Sequence, residues 1–309
     1  MHLAGTALLV AAALASLVTA TPSADSVGSD LQILLHNDLY GNESSHNDAV
    51  VVLRIANTHD QAKKACAAIS ESLWTPPTND DGAGFLAYLT YQTDLQTRSS
   101  GERSYRQLYH VSGKDPHGKC RSIDPSSGHV RQITCKTKLP ALCTQSAPLS
   151  YVNNTDTSVS RQTQVISGKA VYTGWRDKLS FRFLGIPYAS FPQRFIDSSP
   201  TSLTGNISAL DFGSICASRD GRFGPVLGSE DCLFLNIYTP YLPTSKRSKS
   251  ALRPVMLWIH GGTFVGGSGS DPVFDGGNLA SRGDVVVVTI NYRYAESAGH
   301  RAQVADRCP

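Results

Sequence analysis

The sequence has no CxxC pair and no His/Cys cluster with zinc spacing, so its seven cysteines are not read as metal ligands. It has no long basic cluster either. The formal net charge is +3, and the densest basic run, Lys246–Lys249 (KRSK), reads as an exposed loop. That balance argues against a nucleic-acid partner. Apart from the first twenty residues, no segment is apolar for long enough to span a bilayer. Hydrophobic residues make up 40% and charged residues 17%, an ordinary globular mixture, and 309 residues suffice for one large domain or two ordinary ones.

Met1–Ala20, MHLAGTALLVAAALASLVTA, has an apolar core, a weak n-region (His2 only) and small residues at Val18-Thr19-Ala20. It reads as a secretory signal peptide cleaved after Ala20. The run is short and no basic stop-transfer segment follows, which argues against a membrane anchor. Sequons at Asn42, Asn153 and Asn206 fit a secreted, extracellular glycoprotein. In an oxidising compartment Cys66, Cys120, Cys135, Cys143, Cys216, Cys232 and Cys308 should mostly pair, with at least one left over because the count is odd.

From residue 21 to 148 the chain has its own texture. Asp30–Tyr40 and Val50–Ile55 read as strands. Asp60–Leu73, DQAKKACAAISESL, reads as an amphipathic helix with Ala65, Cys66, Ile69 and Leu73 on its apolar face. Thr75–Gly84 is a loop, two short segments carry Cys120 and Cys135, and Leu139–Cys143 closes the region. Ala147–Ser160 is polar and serves as the linker. An early helix cysteine, a late close pair and a cysteine in the final strand resemble a C-type-lectin-like domain. That resemblance implies Cys66–Cys143 and Cys120–Cys135, one of three pairings open to four cysteines. The lectins' calcium-binding triplet is absent, so calcium-dependent sugar binding does not follow, and the ligand of this small disulfide-tied α+β domain is unknown.

The second region is organised around Arg253–Ser268, RPVMLWIHGGTFVGGS. Val255–Ile259 suits a buried strand. The glycines after it let the backbone turn sharply and present bare N–H groups, which suit an anion formed during acyl transfer. Upstream lies SEDCLFLNIYTP (229–240) and downstream GDVVVVTINYR (283–293). Together the three stretches resemble the type-B carboxylesterase/lipase family. Phe183–Ala189 with Arg194-Phe195 is similar to that family's opening pattern. Strands at Gln164–Tyr172, Leu179–Phe183, Cys232–Tyr238, Val255–Ile259 and Val285–Tyr292, with crossover room between the last two, mark an α/β sheet.

The resemblance implies an α/β-hydrolase sheet for residues 149–293, a Cys216–Cys232 bridge and an Arg194–Glu230 ion pair. It implies oxyanion donors at Gly262 and Thr263, supported by Gly261 and His260. It implies hydrolysis of small-molecule carboxylic esters or lipids through an acyl-serine, without cofactor or metal. Thr263 stands where the family has Gly or Ala, and its β-branch stiffens the turn. The family's Gly-Glu-Ser-Ala-Gly elbow is not in its place. Ala295–Gly299 resembles it, but only His300 and Asp306 follow Ser297 as base and acid. Residues 294–309 are therefore an off-pattern tail, and the expectation is a truncated, catalytically incomplete esterase with Ser297 as a marginal nucleophile. The strand Val255–Ile259 would then lie as an exposed apolar edge. The rival expectation is a non-catalytic secreted binding protein with lectin-like and degenerate hydrolase domains.

Overall fold

Two seven-stranded sheets share the chain, and a computed structural model describes residues 21–35, 49–76, 86–91, 107–152, 154–190, 196–219, 226–245 and 252–294 of it. The expectations for residues 1–20, Lys246–Lys249, Asn42, Asn153, Arg194, Ser297 and Cys308 lie outside the described residues. Among the described residues no helix is long and apolar enough to cross a membrane.

The chain opens with α1 (Ala24–Val27), β1 (Leu31–Leu35), β2 (Ala49–Asn57) and α2 (His59–Ala68). A short helix α3 (86–91) follows, then β3 (Tyr109–Lys114), β4 (Cys120–Ile123), β5 (Val130–Ile133) and β6 (Leu139–Thr144). Next come β7 (Gln162–Ser167), β8 (Lys169–Arg176), β9 (Phe181–Pro187), β10 (Thr204–Ser208), β11 (Ser218–Arg219) and β12 (Val226–Leu227). The last elements are β13 (Phe234–Thr239), β14 (Tyr241–Leu242), β15 (Val255–Ile259), α4 (Gly277–Gly283) and β16 (Val286–Ile290). The arrangement is α/β, with mixed sheets and few helices.

The first sheet runs β14-β1-β2-β6-β3-β4-β5. Helix α2 packs on it through His59, Ala62, Ala65 and Cys66, one face at helical spacing. A reciprocal cap starts the helix: Gln61 N–H donates to the Thr58 side chain, and the Thr58 amide donates to Gln61 Oε1 at 3.0 Å. The helix stops five residues before the expected Leu73. Ser70 turns left-handed (φ 60°), Ser70 N–H bonds Ala67 O and Glu71 N–H bonds Cys66 O. This is a Schellman closure with serine where glycine is usual, which is why the sequence hid it. Cys66–Cys143 staples the helix to β6 with Cα atoms 5.6 Å apart, and Cys120–Cys135 closes the β4–β5 hairpin at 5.0 Å.

The second sheet runs β10-β8-β9-β13-β16-β15, with β7 also paired to β8. Strands β15 and β16 are parallel, joined through α4, whereas β13 lies antiparallel to both β9 and β16. Strand β15 lies last in the described sheet, as the exposed apolar edge expected above rather than the buried strand its letters suit. All five residues are exposed, Leu257 by 57% and Trp258 by 45%, because β16 is its one partner among the described strands.

The sheets are not independent. One core cluster takes Leu31, Ile33, Val51 and Leu53 from the first, Cys66 and Ile69 around α2, and Phe181, Phe183 and Ile186 from the second. Strand β14 belongs in sequence to the second region but pairs antiparallel with β1. Between the sheets, Glu71 Oε1 accepts from Arg176 Nη2 (2.7 Å), Ser146 N (3.0 Å) and Ser146 Oγ (2.8 Å), while Oε2 accepts from Thr144 Oγ1.

Candidate functional site: the turn after β15

The turn begins where β15 ends. His260 is buried, and its Nδ1–H donates to Gly261 O at 2.8 Å. Its ring stacks on Tyr292 (centroids 4.3 Å, planes 17° apart) and meets the edge of Tyr294 at 6.0 Å. Gly262 takes φ 120°, and a Cβ there would lie 1.9 Å from Gly266 O, so only glycine fits. Thr263 (φ 52°) and Phe264 (φ 59°) continue left-handed, which costs a non-glycine residue about 1–2 kcal/mol. Thr263 Oγ1 donates to Gly262 O at 2.7 Å, and Val265 N–H closes the turn on the same carbonyl at 3.0 Å.

Two consequences follow for chemistry. The amides of Gly262 and Thr263 donate to no group among the described residues, and both residues are exposed. Bare donors at the carboxyl end of a strand, fixed by a tight turn, are the elements of an anion cradle. Phe264 is 74% exposed and Trp258 leans on Phe274 at 5.1 Å, so neither side chain is core.

A layer of polar groups under the turn holds it. Tyr292 OH donates to His260 O at 2.8 Å. Asn291 Oδ1 accepts from Gly269 N–H at 2.8 Å, while its Nδ2 donates to Ser214 O at 3.0 Å. Thr289 Oγ1 donates to Gly269 O at 2.7 Å and accepts from Asn236 Nδ2 at 3.0 Å. Tyr294 OH reaches Gly267 O at 2.9 Å and Cys216 O at 3.2 Å. Cys216 is bonded to Cys232, and this bridge packs with Leu233 and Tyr294 in one small apolar cluster. Sequence reasoning ended the pattern at Arg293 and missed Tyr294. A tyrosine after NYR was the available signal, but nothing local shows where its hydroxyl points.

Of the sequence-derived site residues, the structure brings His260, Gly261, Gly262 and Thr263 together in one turn. It does not bring a triad to them: among the described residues no histidine ring bonds a serine hydroxyl. Glu230 is described, but its expected partner Arg194 is not. Arg293 donates to Ile196 O at 2.7 Å. Asn206 is exposed on β10. The second sheet also carries a buried ion network. Arg182 is buried between Asp177 (2.6 Å) and Asp275, over the rings of Trp175 and Tyr238.

Residues 155–296 match the model of the carboxylesterase family. The para-nitrobenzyl esterase of Bacillus subtilis (strain 168) is 39% identical over 121 residues, which are 36% of this chain and 24% of that protein. Carboxylesterase 3 of Homo sapiens is 32% identical over 188 residues, covering 56% of this chain and 31% of the relative. The bile salt-activated lipase of Rattus norvegicus is 37% identical over 117 residues, 36% and 19% respectively. A solved structure of a thermophylic PNB esterase, 32% identical, aligns over 43% of this chain and 28% of its own with a TM-score of 0.37. The chain thus spans about a quarter of the length of the para-nitrobenzyl esterase.

Proposed function

We propose that residues 155–296, as a carboxylesterase-family segment, supply the oxyanion-binding turn of a secreted carboxylic ester hydrolase. The observation that carries this is the pair of undonated, exposed amides at Gly262 and Thr263, directly after the buried His260. In ester cleavage the carbonyl oxygen becomes an anion as the tetrahedral intermediate forms. Two fixed N–H donors aimed at that position stabilise it, and losing one such donor typically costs 10²–10³ in rate. Gly262 can donate because its own turn demands a glycine. Thr263 donates from a left-handed residue, and Gly261 and His260 fix the entry to the turn.

The acyl group would come from small-molecule carboxylic esters or lipids, as the names of the relatives suggest for those proteins. The nucleophile, base and acid are not assigned among the described residues, so the contribution proposed for this segment is the anion side of the reaction. The first region, 21–148, is proposed as a disulfide-tied α+β cap with a lectin-like layout and no assigned ligand. Secretion rests on the Met1–Ala20 leader and the three bridges.

The test titrates acetate, a stable carboxylate anion, into ¹⁵N-labelled protein and follows the Gly262 and Thr263 amides. Saturable shifts at both are expected. No shift at either overturns the proposal. In parallel, hydrolysis of p-nitrophenyl acetate is compared with Ser297→Ala. Turnover that disappears in that variant places a serine nucleophile in this chain beside the proposed turn.

A further inference from the structure

The turn has two parts that must stay in register. Its first half, His260–Gly262, is held by β15 and by Tyr292. Its second half, Val265–Gly269, must return under the first so that the amides at its crest face outward. Gly267 makes that return at φ 118°, where a Cβ would sit 2.3 Å from His260 Nδ1. The close approach leaves no side chain at Gly267 through which the return could be anchored. The anchor has to come to the backbone from outside.

Asn291 and Thr289 hold Gly269 at the end of the return, and Tyr294 provides the anchor at Gly267 itself. The tyrosine side chain is buried, its ring meets the rings of His260 and Tyr292 edge-on, and its hydroxyl lies within bonding distance of two carbonyls. One is Gly267 O in the return of the turn. The other is Cys216 O, next to the bridge that closes the 216–232 loop. A phenol has one proton, so it is shared between the two carbonyls and links them. Burial pushes the Tyr294 phenol above the ordinary tyrosine value, against a hydrogen bond to Ser218 that lowers it, so the donor keeps its proton well into alkaline solution.

We infer that Tyr294 is a positioning residue for the anion cradle: by holding Gly267 O to Cys216 O, it makes the Cys216–Cys232 loop a fixed wall against which Gly262 and Thr263 are aimed. This rests on the proposed anion-binding role of the turn. The tyrosine does not touch the anion. It acts through the return segment, and the bridge gives that segment a reference point beyond its own strand.

The test uses Tyr294→Phe in the full chain, which keeps the ring and removes only the hydroxyl. Two readouts are taken on ¹⁵N-labelled protein. The first is hydrogen exchange at Val265, whose amide closes the turn, and at Gly269, whose amide rests on Asn291. The second is the acetate concentration that half-saturates the Gly262 and Thr263 shifts. Exchange about fivefold faster at both amides and half-saturation raised about fivefold are expected, the Boltzmann factor of one net hydrogen bond. Amides of the β7–β8 hairpin serve as the internal reference. Faster exchange with unchanged half-saturation makes Tyr294 a packing residue and overturns the inference, as does no change in either. If the wild-type protein shows no acetate shift, the cradle itself is overturned and this inference with it. A wild-type shift with an indifferent Tyr294→Phe overturns this inference alone.

Discussion

Arg176 donates to Glu71 at 2.7 Å across 105 residues of sequence, and the two side chains are 3% and 0% exposed. The pair joins the third residue after α2 to the end of β8, and so joins the two sheets. Arg176 also donates to Ile69 O at 3.1 Å, tying it to the helix end itself. Desolvation lowers the arginine's pKa while Glu71 raises it, the signature of a buried ion kept charged by its partner.

Glu71→Ala should therefore destabilise the protein by about 3–5 kcal/mol, because it leaves a buried guanidinium unpaired. Arg176→Met added to it should recover much of that loss. Urea unfolding of the two single variants and the double variant measures the coupling. Additive losses would mean that the pair does not act as a unit.

His110 gives the structure a sensitivity to acid. Its Nε2–H is shared by Thr137 O (3.0 Å) and Asn57 O (3.1 Å), and its Nδ1 is buried without a partner. Burial holds its pKa below 6.5, and His59, with ring centroids 5.4 Å apart, adds to the lowering, against the two carbonyl bonds. Asp60, exposed and 4.0 Å from His59 Nδ1, is the nearby acid. The folded value lies below the unfolded one, so the unfolded chain binds the proton first. Stability should be complete above pH 6.5 and fall as the pH drops through the folded value. In His110→Gln that part of the fall should vanish, as read from urea midpoints at pH 7.5 and pH 5. An identical fall in both proteins would place the proton elsewhere.

The crest of the turn makes a paired prediction. Thr263→Asn should stabilise by about 0.5–1 kcal/mol, since asparagine tolerates the left-handed region better than a β-branched residue. Gly262→Ala should cost at least about 2 kcal/mol or displace the turn, because its Cβ would meet Gly266 O. Thermal unfolding and the Gly262–Val265 amide shifts read both.

Leu257→Lys should reduce concentration-dependent light scattering, since a charge on an exposed apolar edge blocks pairing with another chain. Its unfolding free energy, read from urea unfolding, should change by no more than about 0.5 kcal/mol. Unchanged scattering would show that β15 is not where copies of the chain meet.

Much of the architecture was legible because it is local. The β-branched runs at Val50–Ile55 and Val285–Tyr292 mark strands, and the helical spacing of Ala65, Cys66 and Ile69 marks α2. The bridges the resemblances imply are those the structure contains. What stayed hidden depends on distant groups. The end of α2 is set by a left-handed Ser70 that no propensity favours. The burial of Glu71 requires Arg176 from another sheet. The support of the turn by Tyr294 requires a carbonyl 78 residues away, at Cys216. The exposure of β15, by contrast, was expected from the resemblance, although its five apolar letters alone describe only a strand.

The antiparallel pairing of β1 with β14 bears on the order in which the protein can be built. Leu31 faces Leu53 on one side and Leu242 on the other, and Asp30 accepts from the Thr244 amide at 2.7 Å. The first contact is available early in synthesis. The second, at Leu242, must wait until 189 residues beyond Leu53 have left the ribosome. A nascent chain therefore carries an unfinished β1 edge, with Leu31 and Ile33 awaiting Phe181 and Phe183, for most of its translation. Folding should be a late, cooperative event rather than one region followed by the other, and a break near residue 148 would strand half of a core on each side.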